Sequence, residues 1–159
     1  MIKEFINSID SNSSLMSGKI GIEKESLRIS DLKLSKIPHE ELLGSALFNR
    51  YITTDFSDAQ IEFITPPFNQ NENVSSFLEN LHHYASKKIN EEILWPLSMP
   101  PTRVLESEIP VAKYGKSNYG LLKEIYRRGL SNRYGKLMQT ISGVHFNYSL
   151  PEEIWDADI

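Results

Sequence analysis

Residues 17–30 read SGKIGIEKESLRIS, and this stretch decides how the chain can fold. Isoleucine and leucine residues at both ends predict a β-strand, yet two glutamates, Glu23 and Glu25, lie at its centre. Residues i and i+2 of a strand share one face, about 6.6 Å apart. Two carboxylates so close repel each other unless water or a cation lies between them. This face of the strand is therefore either solvated, as in many antiparallel sheets, or it binds a positive group.

The composition is that of one folded domain, which we expect to span residues 1–159. The chain is 40% hydrophobic and 24% charged, enough for a hydrophobic core. With 17 basic and 21 acidic residues the net charge is -4, and no Lys or Arg block is present. Phosphate backbones need a concentrated basic surface, so we expect no nucleic-acid partner.

The sequence predicts a cytoplasmic protein without a membrane span. The first residues, MIKEFINSIDSNSS, lack the apolar core of a signal peptide, and no later stretch reaches the roughly 18 apolar residues of a span. Cysteine is absent, which excludes disulfides, thiolate metal sites and a cysteine nucleophile. A metal site would use carboxylate, imidazole and carbonyl ligands.

Hydrophobic spacing predicts further elements along the chain. Helical spacing is found in residues 1–10, 73–89 and 118–133, the last with an apolar stripe at Leu122, Ile125 and Leu130. A loop with a possible helical turn is expected in residues 31–49. A strand around QIEFIT ends at two prolines, and the proline-rich stretch from residue 94 predicts an extended connection.

The last predicted strand, LMQTISGVHFNYSL, spans residues 137–150. Its even positions are mostly apolar and its odd positions polar or small, which predicts one face against a core and one face against water or a ligand. His145 lies on the polar face. A lone histidine of this kind is more often a structural residue than a ligand.

Acids on a second strand favour a cation site over a solvated face. Asp55 and Glu62 belong to that strand region, and a neutral imidazole at His145 can bind a divalent cation. An oxygen-rich site without thiols suits Mg²⁺ or Mn²⁺ better than zinc. Mg²⁺ commonly joins carboxylates to nucleotide phosphates, so the implied chemistry is phosphoryl transfer.

Other signals are weaker. YGKSNYG contains Gly115-Lys116-Ser117, which match the last residues of a P-loop. Pro110 stands where the first glycine of that motif is needed, so we reject a Walker motif. His82 and His83 lack metal-ligand spacing and predict helix surface. Arg127, Arg128 and Arg133 are either a solvated helix face or donors to an anionic substrate.

Four separated motifs, GIEKESLR, YITTDFSDAQIEFITP, WPLSMP and NRYGKLMQTISGVHFNYSLP, resemble the N-terminal part of the proteobacterial type 1 glutamate-cysteine ligases. The resemblance implies ATP-dependent joining of the γ-carboxyl of L-glutamate to the amino group of L-cysteine through γ-glutamyl phosphate, the first step of glutathione synthesis. It also implies an α+β fold, with a mostly antiparallel sheet and helices on one side, as part of a glutamine synthetase-like cup that holds Mg²⁺ or Mn²⁺ and the substrates.

The resemblance also implies roles for particular residues. Metal ligands would be Glu23, Glu25, Glu62 and His145. Asp55 and Glu62 would be the catalytic acids near the cysteine amine. The remaining positions would bind substrate, three of them around cysteine and the last near polar substrate groups: Phe56, Tyr126, Leu130 and Gln139. No ATP-binding residue is assigned.

The family's members are much longer than this sequence. By the resemblance, the remaining part supplies a further metal-binding glutamate, a substrate-binding arginine and most of the nucleotide pocket. Two alternatives to an active ligase stay open: a non-catalytic remnant or regulatory chain, and a small metal-dependent hydrolase, which the motif order disfavours. A second chain carrying the remaining part is a further expectation.

Overall fold

The computed structural model describes residues 17–102 and 104–152. The strands are β1 (Lys19–Ser30), β2 (Lys33–Leu34), β3 (Ile52–Thr54), β4 (Gln60–Ile64), β5 (Ile93–Leu94) and β6 (Val144–Ser149). The helices are α1 (His39–Leu43), α2 (Asn71–Lys88), α3 (Asn118–Tyr134) and α4 (Lys136–Gln139), and a 3-10 turn spans Glu106–Glu108. The helix predicted for residues 1–10 lies outside the described residues.

The long strand β1 organises the sheet, as its sequence predicts. Strands β2, β4, β5 and β6 all pair with it, and β3 pairs with β4. Every pairing among the described residues is antiparallel. The α+β class with a mostly antiparallel sheet is therefore confirmed.

One face of the sheet is covered by α2, and we call it the helix face. Here Ile61 and Phe63 of β4 are fully buried and pack with Ala85 and Ile89 at the end of α2. Alternation in QIEFI places these two side chains together and Glu62 on the opposite face. Burying each such side chain stabilises the fold by about 1.5–3 kcal/mol.

The opposite face carries Glu23 and Glu25, and we call it the acidic face. Further along β1 the same face becomes apolar, because Leu27 and Ile29 are buried there together with Phe56. Leu130 of α3 packs against this second cluster. The two cores thus lie on opposite faces of the sheet, and α3 contributes to a different face from α2.

The strand predicted for residues 137–150 is shorter than expected. Residues 136–139 form the helix α4, and β6 begins only at Val144. Gly135 has a φ of 80°, a left-handed value that favours glycine, and it separates α3 from α4. Alternating polarity could not reveal this short helical turn, because four residues fit either period.

The apolar side of β6 is exposed, so the prediction that it packs on a core is wrong for the described residues. Val144, Phe146 and Tyr148 belong to the helix face by register, and Phe146 is 65% exposed. The reason is the position of α2, which packs on β1 and β4. We call these three residues the β6 apolar face.

The apolar stripe of α3 is also mostly exposed. Leu122 and Ile125 face solvent, and of the stripe only Leu130 joins a core. Among residues 17–102 and 104–152, no helix combines the length and the hydropathy needed to cross a membrane.

Candidate active site

Four carboxylates form what we call the acidic cluster: Glu23, Glu25, Asp55 and Glu62. In the β1–β4 pairing Glu25 lies directly opposite Glu62, and opposite residues of an antiparallel pair have Cβ atoms about 4.5–5.5 Å apart. Asp55 follows β3 and lies near enough to raise the pKa of both Glu25 and Glu62. The fold thus concentrates negative charge on one face, which costs stability.

Glu25 is held in place by neutral donors. Its Oε2 accepts hydrogen bonds from the backbone N–H of Gly143 at 3.0 Å and from the Gln60 amide at 3.3 Å. The Glu25 N–H in turn donates to the Gly143 carbonyl at 3.0 Å. Burial raises the pKa of Glu25, whereas the Gly143 bond lowers it. The carboxylate is therefore positioned without a cation to neutralise it.

Glu62 is the most perturbed acid of the cluster. Burial first, and then the charges of Asp55, Glu25 and Glu23, raise its pKa from 4.5 to about 7, although Arg127 opposes the increase. A carboxyl with this pKa can take up and release a proton near neutral pH. Perturbation by burial and specific neighbours is typical of functional sites.

His145 joins the cluster from the neighbouring strand. It lies opposite Glu23 in the β1–β6 pairing, and its Nδ1 is 3.3 Å from Glu23 Oε2. Both side chains are partly exposed. A carboxylate–imidazole pair at this distance leaves the second ring nitrogen available for another group.

Asp55 connects the acidic cluster to α3. Burial raises the pKa of its carboxyl, and the charge of Arg127 opposes that increase. Arg127 Nε also donates to the backbone carbonyl of Asp55. This arginine therefore fixes the end of β3 relative to α3.

The predicted substrate-binding residues fall into two groups. Phe56 and Leu130 come together, Phe56 within the core of the acidic face and Leu130 packed against it. Tyr126 is 64% exposed on α3, and Gln139 is half-buried at the end of α4. The structure thus joins the first pair and leaves Tyr126 and Gln139 outside that core.

The donor set fits a divalent cation in its chemistry. Carboxylate oxygens with an imidazole suit Mg²⁺ or Mn²⁺, and a cation would relieve the repulsion that raises the pKa of Glu62. Within residues 17–102 and 104–152, however, no three acidic or histidine side chains converge closely enough to hold a metal by themselves.

Several residues of this region carry no recognisable sequence signal. Gln60 and Gly143 position Glu25 through an amide and a backbone donor, which sequence patterns do not reveal. Tyr114 lies under Arg127 and Lys123. Of Tyr114, Lys123 and Arg127, only Arg127 had an interpretation from the sequence, as part of a solvated helix face or as a donor to an anionic substrate. The structure places Arg127 beside the acidic cluster.

Comparison with known proteins identifies the family of the chain. The family model described as glutamate-cysteine ligase matches residues 4–158. A glutamate-cysteine ligase of Yersinia enterocolitica is 51% identical over 138 residues, which are 86% of this chain and 27% of that protein. The chain therefore spans about a quarter of the length of this curated relative.

Solved structures show the same likeness. The glutamate-cysteine ligase of Francisella tularensis, in complex with AMP, matches with a TM-score of 0.84 and 37% identity over 88% of this chain and 28% of that one. A bifunctional glutathione synthetase of Pasteurella multocida matches with a TM-score of 0.77 and 31% identity, over 91% and 19% of the respective chains. Sequence and fold thus agree with the motifs around the acidic cluster, and the chain belongs to the glutamate-cysteine ligase family.

Proposed function

We propose that this chain forms one wall of the active site of an ATP-dependent ligase that joins the γ-carboxyl of L-glutamate to the amino group of L-cysteine, the first step of glutathione synthesis. The observation that carries the proposal is the acidic cluster, in which Glu62 has a pKa near 7. Family membership supports the reaction class. Cytoplasmic location is part of the proposal.

The reaction has two steps. The γ-phosphoryl group of ATP passes to the γ-carboxylate of glutamate, giving γ-glutamyl phosphate and ADP. The cysteine amine then attacks the acyl carbon, inorganic phosphate leaves with its bonding electrons, and the amine loses a proton. Asp55, or Glu62 at a stage when it holds no cation, accepts that proton; without a cation the pKa of Glu62 suits proton transfer at neutral pH.

In the proposal, Glu23, Glu25, Glu62 and His145 would hold Mg²⁺ or Mn²⁺. When bound, such a cation would supply positive charge against the charge of the transferred phosphoryl group. Gly143 and Gln60 keep Glu25 oriented before substrate binds. Phe56, Tyr126 and Leu130 would line the cysteine site, and Gln139 would lie near polar substrate groups.

A second polypeptide or segment carrying the remainder of the ligase is part of the proposal. The chain spans 27% of its Yersinia relative, and the β6 apolar face is exposed. The alternative function is a non-catalytic partner chain. The exposed β6 apolar face also fits this alternative, in which the chain does not combine with the remainder of a ligase into an active enzyme.

The test measures ADP release with Mg²⁺, from the chain alone and mixed with a polypeptide carrying the remainder of the Yersinia ligase. Release that requires both glutamate and cysteine supports the ligase. Release without an amine would indicate a hydrolase, and no release from either preparation would contradict catalysis. Glu25→Gln should reduce turnover at least 100-fold, whereas Glu79→Gln on the exposed side of α2 should not change it.

A further inference from the structure

Tyr114 provides a rigid aromatic surface beside the acidic cluster. The residue is buried, and its hydroxyl donates to the Thr54 carbonyl at 2.9 Å while the Thr54 hydroxyl lies 2.9 Å from it. Thr54 is the last residue of β3, immediately before Asp55. These bonds fix the ring relative to the end of the strand that leads into the cluster.

Two cations of α3 lie over this ring. Lys123 Nζ is 4.8 Å and the Arg127 guanidinium carbon 4.6 Å from the ring centroid, within the range of cation–π attraction. The two residues are one helical turn apart, at i and i+4, so their like charges repel. The Tyr114 ring offsets part of that repulsion.

Gly120 makes this close approach possible. A Cβ atom at this position would lie 2.3 Å from the Tyr114 carbonyl oxygen, which is a backbone atom that cannot swing away. The first turn of α3 therefore rests directly on the Tyr114 backbone. One turn further on, Lys123 and Arg127 reach the ring.

Neither cation forms an ion pair with a carboxylate of the described residues. In the part of the chain that the structure describes, no salt bridge within 4.0 Å involves Lys123 or Arg127. Both nevertheless interact with the acidic cluster. Burial and Arg127 lower the pKa of Lys123, and Glu62 opposes that decrease; burial raises the pKa of Asp55, and Arg127 opposes that increase. The cations of α3 thus lie close enough to the carboxylates of the acidic cluster to interact with them electrostatically, next to the end of β3.

We propose that Lys123 and Arg127, stacked on Tyr114, bind the α-carboxylate of an amino-acid substrate whose ammonium group lies at the acidic cluster. A zwitterion matches this arrangement, since its two charges are close together and of opposite sign. A phosphate group fits less well, because the acidic cluster beside it would repel its larger negative charge. The identity of the amino acids rests on the proposed function.

The test measures binding by amide chemical shifts of the ¹⁵N-labelled chain. Two matched pairs of ligands separate the possible sources of the carboxylate: L-cysteine with cysteamine, and L-glutamate with 4-aminobutyrate. The second member of each pair lacks only the α-carboxylate. The variants are Lys123→Gln, Lys123→Arg and, as a control on α2, the exposed Lys87→Gln.

We expect the wild-type chain to prefer one carboxylate-bearing ligand about tenfold over its partner. Lys123→Gln should remove that preference, Lys123→Arg should keep most of it, and Lys87→Gln should leave it unchanged. The ligand pair whose carboxylate preference depends on Lys123 identifies the amino acid that binds here. Equal binding within both pairs by the wild type, or an unchanged preference in Lys123→Gln, would overturn the proposal.

Three further outcomes separate this inference from the proposed function. If Lys123→Gln weakens binding of Mg²⁺-ATP and leaves both amino-acid preferences intact, the cations bind phosphate and the inference fails. A carboxylate preference that depends on Lys123, in a protein that releases no ADP with or without the remaining polypeptide, would support the inference and contradict the ligase. Ligation by the wild-type protein, together with a carboxylate preference that is unchanged in Lys123→Gln, would support the ligase and contradict the inference.

Discussion

Glu62 shows how single residues of the acidic cluster depend on one another. Its carboxyl lies opposite Glu25 in the sheet, and burial together with three neighbouring carboxylates raises its pKa to about 7. The charged form is thus less favourable in the folded chain than in the unfolded one. Removing this one charge should reduce the electrostatic repulsion within the acidic cluster.

Glu62→Gln should therefore stabilise the chain at high pH only. The folded pKa is above the unfolded value of 4.5, so ionisation destabilises the fold progressively from pH 4.5 to 7 and fully above. Because the group is partly exposed, we discount the full shift and expect a gain of about 1–2 kcal/mol at pH 8. Urea unfolding at pH 4.5 and 8 measures it.

The exposed Glu79 of α2 provides the matched control. Glu79→Gln should change the free energy of unfolding by less than about 0.5 kcal/mol at both pH values. Equal stabilisation by Glu62→Gln at pH 4.5 and 8 would show that repulsion within the cluster is not the cause.

His39 should make the fold sensitive to acid. The residue is 1% exposed, neither ring nitrogen has a hydrogen-bond partner among the described residues, and burial together with Arg28 lowers its pKa from 6.5 to about 4. The folded pKa lies below the unfolded one, so stability is lost as pH falls from 6.5 towards 4.

Replacing His39 by Phe should remove this loss. We expect the stability difference between pH 7.5 and 5 to shrink by about 2 kcal/mol relative to the wild type. His83→Phe on the exposed side of α2 is the control and should keep the wild-type difference. Chemical denaturation at pH 7.5 and 5 measures the free energy of unfolding of each variant. If the wild type and His39→Phe lost equal stability between these pH values, His39 would not be the cause of the acid sensitivity.

At the scale of elements, α3 depends on the absence of a side chain at Gly120. In Gly120→Ala the new Cβ would lie 2.3 Å from the Tyr114 carbonyl oxygen, so the helix must move away from the ring. Alanine is favoured within helices by about 1 kcal/mol, but we expect overpacking to outweigh this and to destabilise the chain by about 1–3 kcal/mol.

Gly129 of the same helix is the matched control. Apart from the neighbouring backbone of α3, no atom of the described residues lies within 4 Å of a Cβ built there, so Gly129→Ala should stabilise the chain by about 0.5–1 kcal/mol. Thermal or urea unfolding distinguishes the two variants by the sign of the change. If both variants were stabilised equally, α3 would not rest on Tyr114.

Sequence reasoning succeeded where one pattern determined one element. Polar and apolar residues alternate from Gln60 to Phe63, and β4 buries Ile61 and Phe63 as expected. The spacing of residues 73–89 likewise predicted α2 closely. It failed at residues 136–139, where four residues were too few to reveal a helical period.

The candidate site was only partly predictable for a similar reason. Glutamates on strands could be found from alternation, but the support of Glu25 by the Gly143 backbone depends on the β1–β6 register. The Tyr114 surface depends on the docking of α3, which follows from close packing at Gly120 rather than from any periodic pattern. Tertiary contacts of this kind leave no local signature.

At the scale of the whole molecule, the greater length of the relatives offers an explanation for the exposed β6 apolar face. Val144, Phe146 and Tyr148 form an exposed row on the last described strand, and the chain spans 27% of its Yersinia relative. Apolar surface of this kind usually contacts another part of the protein. We expect the remaining polypeptide of the ligase to cover it.

Phe146→Asp tests this expectation in two settings. In the chain alone the side chain is 65% exposed, so the variant should change the free energy of unfolding by less than about 1 kcal/mol. In the mixture with the remaining polypeptide it should lower ADP release at least tenfold, because a buried unpaired carboxylate costs several kcal/mol. Phe48→Asp, at a residue 80% exposed in the loop before β3, is the control and should leave the mixture active. Full activity of the Phe146→Asp mixture would mean that the β6 apolar face stays open to solvent in the assembled enzyme, and that the missing part of the site is supplied from another side of the sheet.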